Sequence, residues 1–472
     1  MMALTAIVLP AVFAGVILGV GKRSLAARVL PVLLGGLELA VFAGLIFLPD
    51  APAGRFSEWI APDGLGKVVG AVTAFLFFCA ALHAFFWLPA SRRFEEHEGK
   101  PMRENVFGAV LCLFLATMML AVFARNYGLL WVAVEATTLS SALLIPFHRS
   151  AGSLEAMWKY LLICSVGIGL ALFGTFLLGV AAHTGGGSPY LSFASLAAVR
   201  NGMSPAWIKA AFLFCFAGYG LKMGLAPFHT WLPDAHSEAP STVSVLLSGA
   251  LLNCSFLGIV RVMGAVAPPL LGFCREYLVG FGLFSLLTAA FFLIRQSDYK
   301  RLLAYSSVEH MGLLAIFWGL ELSNIALIHL AMHSVCKMLL FLTAGNILLA
   351  YGTRRIDRVR GLFGVMPRTA ALWLAGILLI CGMPPSPLFV TELELVRRAG
   401  PVLGAVILAL LFAVFCGMTS SALRMTTGGA SRGLSAEAEA AGEELSLLPA
   451  VLMQIPLLTG VVLILKLTGV IG

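Results

Sequence analysis

Long apolar segments alternate with short polar loops along almost the whole chain. Each segment has about the 20 residues that a helix needs to cross the hydrocarbon core of a bilayer. The segments lie near 3–20, 29–48, 68–90, 106–124, 129–147, 157–182, 208–229, 240–264, 276–294, 301–320, 325–351, 368–390, 401–424 and 447–470. The pattern therefore predicts an all-α, polytopic membrane protein with about 14 transmembrane helices.

Composition and charge agree with this prediction. Of the 472 residues, 60% are hydrophobic and only 11% are charged, whereas about a quarter of the residues of a soluble domain are charged. The net charge of +8 does not indicate nucleic-acid binding, because basic residues are about twice as frequent in one set of loops as in the other. The positive-inside rule assigns the richer set to the cytoplasm and, for an even number of helices, both termini to the outside.

The cysteine and histidine spacings give no sign of a metal or redox centre. The nine cysteines lie in apolar runs without a CxxC pair or a zinc spacing, so they are expected to be soft apolar side chains. His229, Asp234 and His236 surround a proline turn and lack the i, i+4 spacing of a zinc-binding helix. We therefore expect no iron–sulfur cluster, haem or other cofactor, and no metal, on this chain.

Two of the predicted helices contain similar interruptions. The seventh breaks at GLAPF, with Pro227, and the twelfth breaks at GMPPSPLF, with Pro384, Pro385 and Pro387. Paired interruptions of this kind indicate an internal repeat whose functional site lies at the breaks. We predict three N-terminal helices in 1–105, inverted five-helix repeats in 106–264 and 265–424, and a loop with the last helix in 425–472.

Ionisable side chains lie inside several predicted spans, where they are costly and normally face a partner or water. His329, His333 and Lys337 recur at i, i+4 and i+8 and so share one helix face. Glu135 and Lys222 have opposite charges and are expected to form a buried pair. The row predicted to translocate protons is Glu135, Lys159, Lys222, His229, His310, His329, His333, Lys337 and Glu392.

Some buried or terminal charges have simpler explanations. Lys159 lies near the start of its helix, and Lys466 lies near the end of the last helix, so both side chains are able to snorkel to the membrane surface. Glu38 and His83 are isolated within their helices, and we expect them to pack and form hydrogen bonds. Neither is assigned to transport.

Three segments carry a resemblance to a known family: LKMGLAPFHTWLPDAHSEAPSTVSVLLSGALLN, SDYKRLLAYSSVEHMG and IHLAMHSVCKMLLFLTAG. They resemble the antiporter-like subunits of respiratory complex I, of Mrp-type cation/proton antiporters and of group 4 membrane-bound nickel–iron hydrogenases. The resemblance covers most of the chain, roughly the fourth to the thirteenth helix. It implies about 14 helices with two inverted repeats of about five helices each, as the pattern of breaks also indicates.

The resemblance also implies roles for individual residues. Glu135 matches the glutamate of the fifth helix, which meets the lysine of the broken seventh, here Lys222. Lys159 matches a lysine of the sixth helix, and Glu392 matches the charged residue at the twelfth-helix break. His329, His333 and Lys337 match the central row of the eleventh helix. Many members have a lysine in the eighth helix where this chain has Asn253, an amide that is able to hold water but not to carry a proton's charge.

The segments WVAVEATTLSSALL and LLSGALLN, together with Asn253, are most similar to the large membrane subunit of hydrogenase-4 and formate hydrogenlyase complexes. This resemblance implies a proton-translocating subunit of an oxidoreductase complex, without a redox centre of its own, in a bacterial or archaeal cytoplasmic membrane. Its partners would be other membrane subunits and a peripheral hydrogenase or dehydrogenase arm with iron–sulfur proteins. The alternatives are a complex I pumping subunit, a stand-alone Na⁺/H⁺ antiporter of the Mrp type, and a membrane anchor that no longer pumps.

Overall fold

The computed structural model describes residues 1–21, 24–47, 57–94, 101–187, 190–429, 440 and 445–467. Within these ranges almost all regular structure is helical, and extended pairing is limited to isolated bridges such as Asn126–Ser192 and Asp298–Arg355. Most of the loop predicted before the last helix lies outside the described residues.

The helices follow one another with short connections. The first half of the chain contains α1 (Met2–Gly19), α2 (Leu25–Phe47), α3 (Gly64–Phe94), α4 (Glu104–Phe123), α5 (Tyr127–Ala142), α6 (Ala151–Thr184), α7 (Phe193–Val199), α8 (Pro205–Met223), α9 (Trp231–Glu238), α10 (Ser241–Leu246) and α11 (Leu252–Gly264). The second half contains α12 (Leu271–Leu293), α13 (Tyr299–Gly319), α14 (Ser323–Tyr351), α15 (Leu362–Val365), α16 (Pro367–Ile380), α17 (Pro387–Arg398), α18 (Pro401–Thr426) and α19 (Leu447–Leu467).

Among the described residues, 11 helical segments are long and apolar enough to cross a membrane. Three of the predicted runs are not in that set: α5 has only 16 residues, α13 carries several polar groups, and α16 and α17 are separated by a break. The prediction of an all-α, polytopic membrane protein is confirmed.

The chain forms two compact units, and the first consists of residues 1–81, 100–231 and 250–277. Its most intimate contact is between α6 and α8, where Gly218 lies directly against the backbone of α6. A Cβ atom at Gly218 would be 2.5 Å from the carbonyl oxygen of Gly167 and 2.7 Å from the Ala171 nitrogen. Small residues allow this close approach because lipid provides no hydrophobic force that drives helices together, so packing must.

The second unit consists of residues 82–99, 232–249 and 278–472. Helix α14 runs through its core and contacts α10, α13, α16, α17 and α19. The α14 side chains from His333 to Ile347 are buried without interruption, so no face of the helix in this stretch is left for lipid. The polar groups on this part of α14 must therefore find partners inside the protein.

Both predicted helix breaks are present, and they end their helices in the same way. At the first, Gly224 has a left-handed φ of 83°, the Gly224 N–H donates to the Leu221 carbonyl, and the Leu225 N–H donates to the Gly220 carbonyl. This pattern is a Schellman motif, in which a left-handed glycine lets the last carbonyls of a helix be satisfied.

At the second break the pattern recurs with Gly382, whose φ is 67°. The Gly382 N–H donates to the Leu379 carbonyl, and the Met383 N–H donates to the Leu378 carbonyl. A further donor binds the equivalent carbonyl at each break: the Trp231 indole binds Leu221 O at 2.9 Å, and the Ser386 hydroxyl binds Leu379 O at 2.6 Å. The two breaks therefore share their backbone chemistry, although few of their side chains match.

A third irregularity lies between α10 and α11, where residues Leu247–Leu251 form a π-helical turn. In the second unit, the Gly249 carbonyl in this turn accepts a hydrogen bond of 2.8 Å from the Ser334 hydroxyl of α14. Such turns shift the i→i−4 ladder and are often found at functional sites. The division into two five-helix repeats is not tested by the packing of the units and stays a prediction.

Candidate functional site

The first unit contains a group of polar side chains around Lys222, called the first cluster: Glu135, Thr138, Ser141, Tyr160 and Lys222. Lys222 is in the last turn of α8, just before the first break, and its side chain is fully buried. Its ammonium donates to the Thr138 hydroxyl at 2.9 Å and to the Tyr160 hydroxyl at 2.5 Å. The Tyr160 ring also lies under the ammonium, with its centroid 4.5 Å away, which adds a cation–π contact.

Two hydrogen-bond chains lead away from Lys222, and the donor roles fix their direction. The Thr138 hydroxyl donates to Glu135 Oε2 at 3.4 Å, and the Ser165 hydroxyl donates to Glu135 Oε1 at 2.9 Å. Lys222 and Glu135 are therefore linked through Thr138. The expected buried pair is therefore a bridged pair in which only Lys222 is fully buried; Glu135 is partly buried and its carboxylate accepts from both sides.

The second chain runs through Tyr160. Because an ammonium only donates, the Tyr160 oxygen accepts from Lys222 and keeps its own proton for Ser141, 2.6 Å away. Ser141 in turn donates to the Thr137 carbonyl at 2.6 Å. These hydroxyls had no sequence signal, since Ser and Thr in apolar helices usually bond to their own backbone and a Tyr is usually an apolar packing residue with a polar tip.

Three other residues of the first unit that the sequence analysis singled out lie outside the first cluster. The Lys159 side chain is 48% exposed and forms an ion pair of 2.6 Å with Glu155 on the surface of α6, so it does not join the first cluster. His229 is buried in the short turn after the first break, and Asn253 is fully buried in the first turn of α11. Pro227 lies at the break itself, as predicted.

The second unit contains a comparable group around Lys337, called the second cluster: Ser306, His310, His329, His333 and Lys337. Lys337 is fully buried, and its ammonium donates to the Leu303 carbonyl at 2.5 Å and to the Ser306 hydroxyl at 2.8 Å. The predicted row of His329, His333 and Lys337 on one face of α14 faces into the protein. His310 of α13 joins this row, with its ring centroid 4.8 Å from that of His333.

The hydrogen bonds of His329 fix the tautomers in the second cluster. The Thr391 hydroxyl donates to the Leu388 carbonyl at 2.9 Å, so it accepts from His329 Nδ1, also at 2.9 Å. For a neutral His329 this leaves Nε2 as an acceptor, and His310 Nδ1, 3.2 Å away, is the donor. The result is a directed chain from His310 through His329 to Thr391, next to Glu392.

Glu392 lies at the second break, where it is buried. A Cβ atom added at Gly382 would clash with Glu392 Oε2, which shows that this carboxyl oxygen lies close to the Gly382 backbone. Pro384 and Pro385 lie in the break, and Pro387 is the first residue of α17. The predicted association of Glu392 with the twelfth-helix break thus corresponds to its position in the structure.

Sequence reasoning missed three buried ionisable residues of the second unit, one of which is Lys300 at the start of α13. Glu309 of α13 is only 2% exposed. His236, which the sequence analysis considered only as part of a metal site that its spacing disfavours, is fully buried and stacks on Phe341 with the ring centroids 4.9 Å apart. The signal for Glu309 was present, since it is an acidic residue inside the predicted tenth helix. The burial of His236 follows only from how the helices pack.

Of the two isolated residues that were expected to pack and form hydrogen bonds, only one does both. His83 Nε2 lies 3.2 Å from Asn346 Oδ1 within the second unit. Glu38 of α2 is fully buried, but neither of its carboxyl oxygens has a hydrogen-bond partner among the described residues. Lys466 is exposed. Within the described residues no three His, Cys, Asp or Glu side chains are arranged to hold a metal ion.

The architecture and the two clusters define a class of protein. Broken helices with buried lysines, carboxyl groups and histidines near the breaks are typical of membrane proteins that move ions through a chain of titratable side chains. The chain is an antiporter-like, multi-pass membrane subunit.

Comparison with known proteins identifies the family. Residues 124–420 match the transmembrane family described as NADH:quinone oxidoreductase/Mrp antiporter, and the chain belongs to this family. It is 35% identical over 376 residues to a hydrogenase-4 component F homolog of Methylacidiphilum infernorum, covering 76% of each chain. It is 30% identical to hydrogenase-4 component B of Escherichia coli over 72% of this chain, but spans only 51% of that protein.

A solved structure supports the same fold. A chain of the membrane-bound sulfane sulfur reductase, an archaeal respiratory membrane complex, superposes with a TM-score of 0.84 at 20% identity, covering 97% of this chain and 94% of that chain. This relative is a subunit of a multi-subunit membrane complex, as are the hydrogenase components. The expected resemblance is therefore confirmed for the family and for the fold.

Proposed function

We propose that this chain translocates protons as a membrane subunit of a redox-driven complex of the hydrogenase type. The observation that carries the proposal is the presence of a fully buried lysine in each unit, Lys222 and Lys337, each donating to a hydroxyl group. A buried ammonium without compensation is strongly unfavourable. A lysine that is held only by a nearby carboxylate and movable hydroxyls can lose and regain its proton when that charge changes.

In the first cluster, a proton on Lys222 has two ways out. It can pass through Thr138 toward Glu135, or displace the Tyr160 proton toward Ser141, along the hydrogen bonds that already exist. A change in the charge of Glu135 would thus load or unload Lys222. The break after Met223 frees backbone groups that can hold water next to the lysine.

In the second cluster, the histidines pass a proton from ring to ring. A proton that arrives on His310 releases the Nδ1 proton to His329 Nε2, and His329 then releases its own Nδ1 proton toward Thr391, beside Glu392. Histidine suits this exchange because each ring has one donor and one acceptor nitrogen when neutral. Glu392 would accept the proton at the second break.

Access to the second cluster is proposed along α13. Lys300 is buried at the start of α13, donates to the Ala239 carbonyl, and lies among loops assigned to the cytoplasm by their basic residues. The charges of Lys300 and Lys337 both act on His236. Protons from the cytoplasm would therefore reach Lys337 by way of Lys300 and His236.

We propose the proton as the transported ion. The groups in both clusters include lysine and histidine nitrogens, which carry protons, whereas hard cations bind sets of oxygen ligands. A second candidate, sodium transport, is suggested by a relative: the chain is 30% identical to a component of an Na(+)/H(+) antiporter of Alkalihalophilus pseudofirmus, but spans only 42% of it. Tracer sodium uptake by the reconstituted complex separates the two functions.

The test is proton transport by the complex that the tagged chain brings with it from its native membrane, reconstituted in vesicles. K222M should lower proton transport about 100-fold, the scale of a lost acid–base group, while the complex still assembles. K209M is the matched control, because Lys209 is on the same helix but only partly buried, with its ammonium over Phe273. Normal transport by K222M would refute the proposal.

The partners and the location are part of the proposal. Support for a hydrogenase or dehydrogenase arm comes from the names of the relatives, and support for both termini outside comes from the loop charges. Iron–sulfur signals in the co-purified complex would be expected. A tag on either terminus should be accessible to protease only from outside the cell.

A further inference from the structure

Glu309 is a buried acidic residue that lies outside the proposed route. It is on α13, three residues after Ser306, whose hydroxyl accepts a hydrogen bond of 2.8 Å from the Lys337 ammonium. Both Glu309 and Lys337 are almost completely buried, and Glu309 lies one helical turn from the serine that accepts from Lys337, on the same face of α13. A lysine and a carboxyl group are thus enclosed together in the core of the second unit.

The groups around Lys337 leave few sources of compensating negative charge. The other side chains whose charges interact with Lys337 are the thiols Cys336 and Cys381 and the histidines His236, His310 and His333. Histidines add no negative charge, and buried thiols are poor anions. Of the buried carboxyl groups described in this unit, Glu309 is on the helix that Lys337 contacts through Ser306, whereas Glu392 lies at the second break, at the far end of the histidine chain.

The arrangement repeats that of the first cluster in reverse order along the helix. There the lysine donates to Thr138, and the carboxyl group is Glu135, three residues before Thr138. Here the lysine donates to Ser306, and the carboxyl group is Glu309, three residues after it. The same three chemical groups occur in each unit, held by different helices.

We infer that Glu309 is the proton-exchange partner of Lys337. When Ser306 accepts a proton from the ammonium of Lys337 and gives its own hydroxyl proton to the Glu309 carboxylate, the pair becomes a neutral amine and a carboxylic acid, and no net charge enters or leaves the core. The reverse transfer restores the ion pair. Lys337 can thus deliver or receive a proton without leaving an uncompensated charge in the membrane interior. This inference rests on the proposed function.

The test uses E309Q in the same purified complex, with E38Q as the control. Glu38 is also a fully buried carboxyl group, but it lies on α2 in the first unit, where burial alone acts on it and no lysine charge does. E309Q should lower proton transport about tenfold or more, and E38Q should leave it unchanged. E309D, which keeps the acid, should recover part of the activity.

An infrared measurement separates proton exchange from a structural role. Proton-induced difference spectra of the wild-type complex should contain a carboxylic C=O band that is absent in E309Q and present in E38Q. Retention of both the band and the transport in E309Q would overturn the inference. If K222M still lost transport alongside that result, the proposed function would stand, whereas absence of proton transport in the wild type would refute the function itself.

If E309Q does not assemble, the double variant E309Q/K337M decides. Removal of one partner leaves a buried uncompensated charge, while removal of both does not. The double variant should therefore assemble in larger amounts than E309Q alone. Equal or lower amounts would overturn the pairing of Glu309 with Lys337.

Discussion

Both units bury a lysine completely, but they surround it with different chemistry. Lys222 donates to two hydroxyl groups and contacts an aromatic ring, and the Glu135 carboxylate is linked to it through Thr138. Lys337 is held by a serine and a backbone carbonyl, next to three histidines. The first arrangement can store a proton and release it when Glu135 changes charge, and the second can also pass it on through the rings.

The two helix breaks have the same backbone geometry but different charged residues. Their backbones match position for position, with Leu221 equivalent to Leu379, yet the residue after each leucine differs: Lys222 at the first break and Ile380 at the second. The second unit therefore has no lysine at its break. It obtains its lysine from α14 and has a carboxyl group, Glu392, beyond the break. Similar backbone geometry thus supports two different placements of charge.

The largest expected effect comes from K337M. If transport requires both clusters to complete their proton transfers in one coupled cycle, this variant should lower transport about 100-fold, as severely as K222M, because loss of either lysine then stops the cycle. The rates of K222M, K337M and the double variant in vesicles provide the measurement. Substantial transport in K337M alone would indicate parallel routes and would break the comparison.

Next is G382A, which tests the contact of Glu392 with the second break. Both Gly382 and Gly352 have a left-handed φ, so alanine at either position should cost about 1–2 kcal/mol of stability. Only at Gly382 does the new methyl group meet a side chain, the Glu392 carboxyl. Thermal unfolding should therefore shift at least as far in G382A as in G352A, while proton transport should fall only in G382A. An equal loss of transport in both would remove Glu392 from the route.

A smaller effect is expected from Y160F in the first cluster. The change removes the hydroxyl that accepts from Lys222 and donates to Ser141, a loss worth about 1 kcal/mol or about fivefold in rate, but keeps the ring beneath the ammonium. Transport and the abundance of the complex should be measured together. If Y160F transports normally, the proton leaves Lys222 through Thr138 alone.

The smallest effect is expected from K159M. The pair of Lys159 with Glu155 is largely exposed on α6, and such exposed ion pairs contribute at most about 1 kcal/mol. Proton transport should change less than about twofold. A loss as large as that of K222M would restore Lys159 to the route predicted from sequence and would imply that another protein of the complex covers this face of α6.

The sequence determined much of the second cluster because helix periodicity is a local property. Spacing alone placed His329, His333 and Lys337 on one face of α14, and the prolines and glycines marked both breaks. Residues that are adjacent only through packing could not be found in this way. Tyr160 and Ser141 are 19 residues apart on different helices, and their hydroxyls meet because α5 and α6 pack together.

What the sequence by itself determines about this protein is its solvent and its class. Long runs of apolar residues require a bilayer. Titratable groups within such runs cost free energy to bury, so they indicate a functional role. Only the tertiary structure decided which of those groups meet. It excluded Lys159 from the first cluster, inserted Thr138 between Lys222 and Glu135, and placed Glu309 one helical turn from the serine that accepts from Lys337. The physical reason is that a lysine in a membrane helix must find its compensating partner on another helix, and that choice depends on three-dimensional packing.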